Sequence, residues 1–469
     1  MKQITPAKSI SYDMRLEEIE PAIAWQTWEP SNTEPWDRRN ACLLHRRAGF
    51  GVTTDELKET LSIGHEATIS KLMHASAREQ NAINAFELES AVISKSVLAS
   101  SDIKQLAAWW LHRMLNSPTP LVEKMTLFWH GHFATGGEKV LDAELMHTQN
   151  ELLRENALGN FQNLVQGIAK DPAMLIYLDS VSNRKAHANE NFARELMELF
   201  CLGEGNYTEA DVQQLAKCFT GWEIRRKQFR FNSYQHDDSL KTILGKNNIE
   251  SGEAAIESVL ASPHMASFIA RKLFGFFVCE DFKPSDELLA SLADRFVETN
   301  YSIASVVEMI LRSRVMLSGW SIGRKVRSPI ELSIGWMRTL KCTTNIGFLA
   351  ERLRTIGQAL FFPPNVKGWE GGRAWINSST LVGRANLIFE LINHENTRFD
   401  GTSLQAFVGS NHIQDKTEFA SWFTKMFFVQ DLSGPELNLL SNPQDPATTD
   451  RWASQTMIAL ASQPKIHLS

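Results

Sequence analysis

The chain has 469 residues, of which 43% are hydrophobic and 22% are charged, and its formal net charge is −6. These values are ordinary for a globular protein with a sizeable core. A weakly acidic chain has no electrostatic attraction to nucleic acid or to an anionic membrane surface, so nucleic acid is not an expected partner. No uninterrupted apolar run approaches the roughly 18 residues that a transmembrane helix needs, so no membrane span is predicted.

The cysteines and the N-terminal segment bear on the cellular compartment. The five cysteines are Cys42, Cys201, Cys218, Cys279 and Cys342. They form no CxxC pair and their number is odd, which argues against a disulfide framework and against a zinc-knuckle pattern. The first 25 residues contain no apolar stretch of signal-peptide length. We therefore expect a reducing compartment, the cytoplasm.

The predicted elements are almost all helical. Residues 1–38 are polar and punctuated by prolines, and they predict an N-terminal arm with ordered structure from about Trp36. Thr53 precedes Glu56 by three positions, which is the capping-box spacing of a helix start. Apolar residues at helical spacing then predict helices across 85–115, 119–130, 141–170, with a break around Gly159-Asn160, and 252–340.

A pair of helices is predicted across residues 189–221. Asn189 is in the position to cap the first helix, which carries an apolar face. Thr208 with Asp211 repeats the capping-box spacing and predicts the start of the second helix.

The β signal is confined to one region. Residues 229–231 alternate between apolar and polar, and residues 242–244 are the expected partner strand. The sequence therefore predicts a mainly α protein: one large all-α domain over residues 39–469 with a small β-hairpin near 223–245. A polar, proline-containing stretch at 429–449 precedes a short terminal helix.

The segment richest in potential chemistry is Trp129-His130-Gly131-His132-Phe133. Two imidazoles two positions apart point to the same side only on an extended segment or at a helix end. Gly131, which lies between them, favours a break in the helix. Neutral imidazole is the commonest metal ligand in proteins, so His130 and His132 are predicted to bind a divalent metal ion. The alternative is that both rings pack at a helix terminus and bond to backbone carbonyl groups.

Glu195 lies at the edge of the apolar face of the first predicted helix of the pair, beside Leu199. A carboxylate at such an edge can point into a partly buried cleft, where desolvation raises its pKa and makes it a usable base or ligand. Glu195 is therefore predicted as a general base or metal ligand. The alternative is a solvated helix surface.

His236 and Asp237 are adjacent in a predicted loop. Such a pair can supply metal ligands, or a base with the carboxylate that orients it. His236 is predicted as a metal ligand and Asp237 as a catalytic residue.

Prolines, glycines and tryptophans fill the irregular segment 361–377. A loop with so much specified backbone geometry is a candidate to line a pocket. The predicted substrate-binding residues are Lys367, Trp369, Arg373, Trp375 and Asn377. The alternative is a loop that fills the core with its two indole rings.

In chain order, segments 48–51, 128–133, 189–200, 206–212, 219–222, 236–237 and 363–369 resemble the domain of unknown function 1800 family, over roughly residues 40–465. The resemblance implies one large α-helical domain, a bacterial origin and, often, a neighbouring gene for a sulfatase-like partner. It brings no established reaction. Many relatives look exported, so the periplasm is the alternative to the cytoplasm.

Two hypotheses of different class follow. The first is a metal-dependent enzyme, hydrolytic by default and oxidative with the same ligands, in which His130, His132 and His236 bind a divalent ion and Glu195 acts as ligand or base. The second is a non-catalytic scaffold or partner of a sulfatase-like protein, with the tryptophan-containing loop as the docking surface. A third possibility is a sugar site, because Trp369 and Trp375 flank Glu370.

Overall fold

The computed structural model describes residues 10–428, residue 434 and residues 449–469. The predicted polar stretch at 429–449 therefore falls almost entirely outside the described residues. The fold is mainly α-helical, as predicted, with small antiparallel two-stranded sheets. Within the described residues, no helix combines the length and the apolar character needed to cross a membrane.

The α-helices are α1 (Pro21–Ala24), α2 (Arg38–Arg47), α3 (Thr54–Met73), α4 (Ala77–Ala99), α5 (Ile103–Asn116), α6 (Pro120–His132), α7 (Gly137–Val140), α8 (Ala143–Glu155), α9 (Phe161–Lys170), α10 (Pro172–Tyr177), α11 (Asn191–Glu195), α12 (Glu209–Cys218), α13 (Gly252–Leu260), α14 (Pro263–Phe277), α15 (Asp286–Glu298), α16 (Ile303–Arg312), α17 (Arg314–Leu317), α18 (Pro329–Thr339), α19 (Ile346–Thr355), α20 (Ser378–Asn393), α21 (Leu404–Ser410), α22 (Lys416–Phe427) and α23 (Thr449–Ala461). A π-helix spans Leu196–Cys201, and 3₁₀ turns span Leu16–Glu18, Ser180–Ser182, Ser233–Gln235, Gly319–Ser321, Gly372–Trp375 and Pro464–His467. The strands are β1 (Trp222–Arg225), β2 (Gln228–Phe231), β3 (Lys241–Ile243), β4 (Lys246–Ile249), β5 (Cys342–Thr343) and β6 (Arg398–Phe399).

Local capping chemistry sets several helix starts where the sequence predicted them. The Thr53 hydroxyl accepts the Glu56 N–H, and the Glu56 carboxylate accepts the Thr53 N–H, so α3 begins with the expected capping box. Thr208 and Asp211 form the same reciprocal pair at α12. The helix predicted across 85–115 is instead two helices, α4 and α5, because the chain turns at Ser101.

The single hairpin predicted near 223–245 is wrong in its strand pairing. Strand β2 pairs with β1, and β3 pairs with β4, so there are two hairpins. The reason lies in two tight turns with positive φ, at Arg226-Lys227 and at Leu244-Gly245. Two consecutive residues with positive φ match the type I′ turns that join adjacent antiparallel strands.

Buried apolar side chains form two large clusters. The first core is built mainly from segments between α8 and the 3₁₀ turn at Gly319–Ser321, and the second from α5, α8 and the chain after Pro329. Helix α6 contributes to both, with Phe128 and Trp129 in the first core and Leu127 in the second. This helix therefore lies at the junction of the two cores.

The segment before Trp36 packs on the first core. Ile10, Leu16 and Trp28 are buried, and the Trp25 indole N–H donates to the Leu288 carbonyl at 2.6 Å. The expectation that ordered structure begins near Trp36 is therefore wrong, because these apolar residues cover α15 and its neighbours.

Candidate ligand-binding site

Helix α6 runs through Gly131 and ends at His132. The predicted helix break at Gly131 is therefore wrong, and the two imidazoles do not point to one side. Residues two apart on an α-helix are separated by roughly 200° around its axis. His130 and His132 consequently face different cores.

The His130 ring lies among aromatic rings of the second core and of the 361–377 loop. Its centroid is 5.0 Å from that of Trp110 and 5.7 Å from that of Trp369. Its Nε2 accepts the backbone N–H of Phe361 at 3.1 Å, which requires an unprotonated Nε2. Burial lowers the pKa of His130 to about 3, so the ring is neutral at physiological pH.

His132 faces the first core. Its Nε2–H donates to the Phe200 carbonyl at 2.9 Å, and its ring contacts Phe133. Burial, aided by the Lys272 charge, lowers the pKa of His132 to about 3. Its buried Nδ1 has no hydrogen-bond partner among the residues that the structure describes.

His236 and Asp237 serve the hairpin region. The two His236 ring nitrogens lie 2.9 Å from the Thr220 carbonyl oxygen and 3.2 Å from the Glu250 carbonyl oxygen. The Asp237 carboxylate accepts the Ser239 N–H at 2.9 Å and lies 3.8 Å from Lys241 Nζ. These bonds fasten the loop between β2 and β3.

Glu195 lies where α11 passes into the π-helix, a local irregularity that is frequent at functional sites. The side chain is half-buried, and burial together with nearby Glu198 raises its pKa, while Lys367 opposes the shift. The elevated pKa of a half-buried carboxylate agrees with the expectation for Glu195, and its catalytic role stays a prediction.

The predicted ligand set does not come together. Within residues 10–428 and 449–469, no three His, Cys, Asp or Glu side chains form a group that could hold a metal ion. His130, His132 and His236 instead use ring nitrogens in backbone hydrogen bonds. As a set, these residues do not fit a metal, and metal binding by the protein stays a prediction.

A pocket of about 340 Å³ lies between the two cores, and we call it the junction pocket. Its walls are the C-terminal half of α6, the middle of α14, the segment 325–331, Gln358 and the 361–377 loop. The volume lies in the range of small-molecule sites, which are often found where two cores or domains meet.

Part of the predicted substrate-binding set lines this pocket. Lys367, Trp369 and Trp375 are among the lining residues. Arg373 instead extends into solvent with its Nε 3.2 Å from Asp281, and Asn377 caps α20 by accepting the Thr380 N–H. The loop therefore supplies one wall of the pocket, and binding of a substrate by it stays a prediction.

A chain of buried charges forms the floor of the pocket. Lys325 Nζ lies 2.9 Å from Glu280 and 3.7 Å from Glu331, and Lys124 Nζ donates to Glu331. The other Glu280 oxygen accepts the N–H of Gly372 at 2.9 Å. The floor thus connects α6, α18 and the segment that follows α14 to the loop.

The ion pairs of these floor residues determine their charge states. Burial alone would raise the pKa of Glu331, but the Lys124 and Lys325 ammonium groups overcome it and lower the pKa to about 2. Burial lowers the pKa of Lys124 to about 8, against the opposing effect of Glu331. Both carboxylates of the floor, Glu280 and Glu331, therefore have cationic partners.

Lys272 on α14 is a lining cation with a different environment. Its side chain forms no ion pair and no hydrogen bond with any residue in the described part of the chain. Its Nζ lies 5.3 Å from the ring centroid of Phe268. Although solvent reaches much of the side chain, desolvation by the surrounding protein lowers its pKa.

Sequence reasoning missed Lys272, Lys325, Glu280 and Glu331. One local signal existed: Ser328 and Glu331 have capping-box spacing, and the structure shows that box at the start of α18. Their grouping depends on contacts between segments far apart in the chain, which no local pattern encodes.

The fold and the pocket define a class: a mainly α-helical protein with a small-molecule-sized pocket between two hydrophobic cores. Residues 43–465 match the model of a family described as protein of unknown function (DUF1800). The chain therefore belongs to the DUF1800 family, as its motifs indicated. No curated protein and no solved structure matches the chain.

Proposed function

We propose that the protein binds a small organic molecule in the junction pocket, with the 361–377 loop as one wall. The observation that carries the proposal is the pocket itself, about 340 Å³ between the two cores, whose lining combines aromatic side chains with charged and polar ones. Small-molecule sites combine an apolar and aromatic lining with polar groups that fix the orientation of the ligand.

Two kinds of contact support a ligand in this position. Trp369 and Trp375 supply flat apolar surface, and Phe276 on α14 also lines the pocket. Gln358 accepts the Ile330 N–H through its side-chain oxygen at 2.9 Å, so its amide nitrogen is the part that remains for a ligand. The ligand is thus held mainly by apolar contact and oriented by few hydrogen bonds.

A pocket-filling variant tests this proposal. A Cβ atom at Gly131, which lines the pocket, would meet no atom of the described residues within 4 Å, so the side chain of Gly131→Leu begins in open space at the pocket wall. Thermal unfolding is measured against a panel of small organic molecules. A bound ligand raises Tm by mass action, by an amount that grows with its concentration relative to Kd. We expect molecules that raise the Tm of the wild type and not that of Gly131→Leu.

Gly409→Leu is the matched control, because a Cβ atom at Gly409 on α21 also meets no atom within 4 Å. It should respond to the same molecules as the wild type. The proposal fails if every stabilising molecule acts equally on the Gly131→Leu variant.

The metal-dependent hydrolytic or oxidative reaction stays a separate hypothesis for the chemistry. Its remaining support is the Nδ1 of His132, which has no hydrogen-bond partner among the described residues, and the half-buried carboxylate of Glu195, whose pKa is raised by burial. Metal analysis, described in the Discussion, tests it.

The partner hypothesis assigns the loop to docking of a sulfatase-like protein. The exposed side chain of Arg373 is what favours an outer docking face on this loop. Co-purification that survives Gly131→Leu and is lost in Arg373→Glu would support this reading, and co-purification unaffected by Arg373→Glu would contradict it.

A further inference from the structure

We propose that the ligand of the junction pocket is an organic anion, with its acidic group at Lys272 and its apolar body against Phe268, Trp369 and Trp375. This inference rests on the proposed function and names the chemical class of the ligand. A carboxylate, a phosphate and a sulfate group share the chemistry that Lys272 would recognise.

Most of the charged side chains around the pocket are paired with one another. Glu280 and Glu331 are already neutralised by Lys325 and Lys124, so they offer little attraction to a cationic ligand. A positively charged molecule would in addition have to approach Lys325.

The other lining cations are also engaged. Arg271 donates to the Pro284 carbonyl and to Asp286, and Lys367 lies 3.8 Å from Glu204. Lys272 is left with no ionic partner among the described residues. Charge complementarity within the pocket is therefore incomplete at Lys272.

The surroundings of Lys272 also favour the binding of an anion. Its ammonium group lies near the Phe268 ring, and desolvation by the protein lowers its pKa. An ammonium group that has lost part of its hydration and has no counter-charge gains more from an anion than a fully hydrated lysine does. Glu370, the opposing charge in the lining, is exposed to solvent as Lys272 is, so water and salt screen both charges.

Aromatic side chains line the pocket beside Lys272. Phe268 lies one helical turn before Lys272 on α14, and both side chains line the pocket with Trp369 and Trp375. One molecule can therefore contact the cation and the aromatic walls together. Such a molecule has an acidic group on an apolar or aromatic body.

A matched pair of dyes tests the inference. Anilinonaphthalene sulfonate carries a sulfonate on the same ring system that phenylnaphthylamine has without a charge, and both fluoresce on transfer to apolar sites. Dissociation constants of both dyes are measured for the wild type, Lys272→Met, Lys272→Arg and Lys246→Met. Lys246 is an exposed lysine on β4, outside the pocket lining, and serves as the control.

We expect Lys272→Met to weaken the binding of the anionic dye about tenfold, which is the usual contribution of a charge-assisted hydrogen bond. The dissociation constant of the neutral dye should change by less than about twofold. Lys272→Arg should restore most of the affinity for the anionic dye, and Lys246→Met should change neither dye. The anionic dye should also bind more weakly to the wild type as salt rises.

The two proposals fail in different ways. Suppose that the neutral dye binds, that Trp369→Ala weakens its binding, and that Lys272→Met leaves the affinity for the anionic dye unchanged. The pocket is then a ligand site, and the anion inference is overturned. If neither dye binds saturably, or if Trp369→Ala changes neither, the pocket is not a ligand site and both proposals are overturned. Far-ultraviolet circular dichroism confirms that each variant is folded.

Discussion

The backbone of Gly368 lies against the backbone of Gly131, so that a Cβ atom at position 368 would lie 2.2 Å from the Gly131 carbonyl oxygen. The contact joins the 361–377 loop to the end of α6. A second contact joins the same two segments, because Phe361 N–H donates to His130. The two motifs that the sequence singled out separately are therefore parts of one structure, the wall of the junction pocket.

The first prediction concerns the two glycines. Gly368 has a φ of +74° and no room for a Cβ atom, whereas Gly131 is helical and has open space around it. Gly368→Ala should lower the free energy of unfolding by about 3 kcal/mol, from strain and overpacking together. Gly131→Ala should leave it unchanged or raise it by about 0.5–1 kcal/mol, because alanine is the better helix former.

Urea unfolding measures both effects, and Gly401→Ala is the control. Gly401 has a φ of +73° but no atom within 4 Å of its Cβ position, so its substitution reports backbone strain alone. If Gly368→Ala lowers the free energy of unfolding no more than Gly401→Ala does, the close approach of Gly368 to Gly131 does not contribute to the effect.

The second prediction concerns the floor of the pocket. Glu331→Gln keeps the shape of the side chain and removes the charge that pairs with Lys124 and Lys325. Removing one partner of a buried ion pair leaves an uncompensated buried charge, which costs about 3–5 kcal/mol. Urea unfolding of Glu331→Gln should show a loss of this size.

Glu190→Gln is the control for that measurement. Glu190 forms a surface pair with Arg194 at 3.1 Å on one helix face, and such pairs contribute about 0.5 kcal/mol. Equal losses in Glu331→Gln and Glu190→Gln would contradict the view that the floor is an interdependent buried network.

The third prediction concerns acid stability. Burial lowers the pKa of His130 and of His132 to about 3 from the usual 6.5. Between these values the unfolded chain binds protons at both imidazoles and the folded chain does not. Their contribution to stability is therefore complete above about pH 6.5 and falls as the pH is lowered toward 3.

One histidine accounts for about 1.4 kcal/mol per pH unit in that window. The free energy of unfolding of His132→Gln, measured between pH 4 and pH 6, should therefore depend less steeply on pH than that of the wild type, by about this amount. An unchanged slope would mean that His132 is not held neutral in the folded protein.

The fourth prediction concerns a group whose contribution to stability rises, and does not fall, as the pH is lowered. Burial raises the pKa of Asp171 to about 7 from 3.8, although Met174 N–H and Gln149 donate to its carboxylate. The folded chain binds the proton more tightly, so this group adds stability as the pH falls from about 7 toward 4. Asp171→Asn should stabilise the protein at pH 8, by at most about 4 kcal/mol, and lose that advantage near pH 4.

Asp142→Asn provides the contrast. Asp142 also caps a helix, α8, but Lys227 and backbone N–H groups overcome its burial and lower its pKa. Asp142→Asn should therefore destabilise the protein at pH 8. A stabilising effect of both substitutions at that pH would contradict the opposite pKa shifts.

The fifth prediction separates the metal hypothesis from its alternative. If His130 and His132 bind a divalent ion, purified protein should contain about one equivalent of metal, and His130→Ala with His132→Ala should remove it. The hydrogen bonds of His130 to Phe361 and of His132 to Phe200 predict instead that both proteins contain the same, substoichiometric metal. Metal analysis by mass spectrometry distinguishes the two outcomes.

The sequence by itself determined the helical class, many helix starts and the family. Caps such as Thr53 with Glu56 depend on residues three positions apart, and helix periodicity depends on residues three and four apart, so both can be recognised in the sequence alone. It also predicted the 361–377 loop as a pocket wall, and Lys367, Trp369 and Trp375 line the pocket.

Only the tertiary structure decided which way the chemically capable side chains face. Helix α6 continues through Gly131 because the packing of both cores along it outweighs the weak helix propensity of one glycine, and this sends His130 and His132 to different cores. The grouping of Lys272 with Trp369, and of Lys124 with Glu331, joins residues from well-separated segments of the chain, and Lys124 and Glu331 are 207 positions apart. Such contacts form only when separate helices bury their apolar faces together, so local spacing cannot specify them.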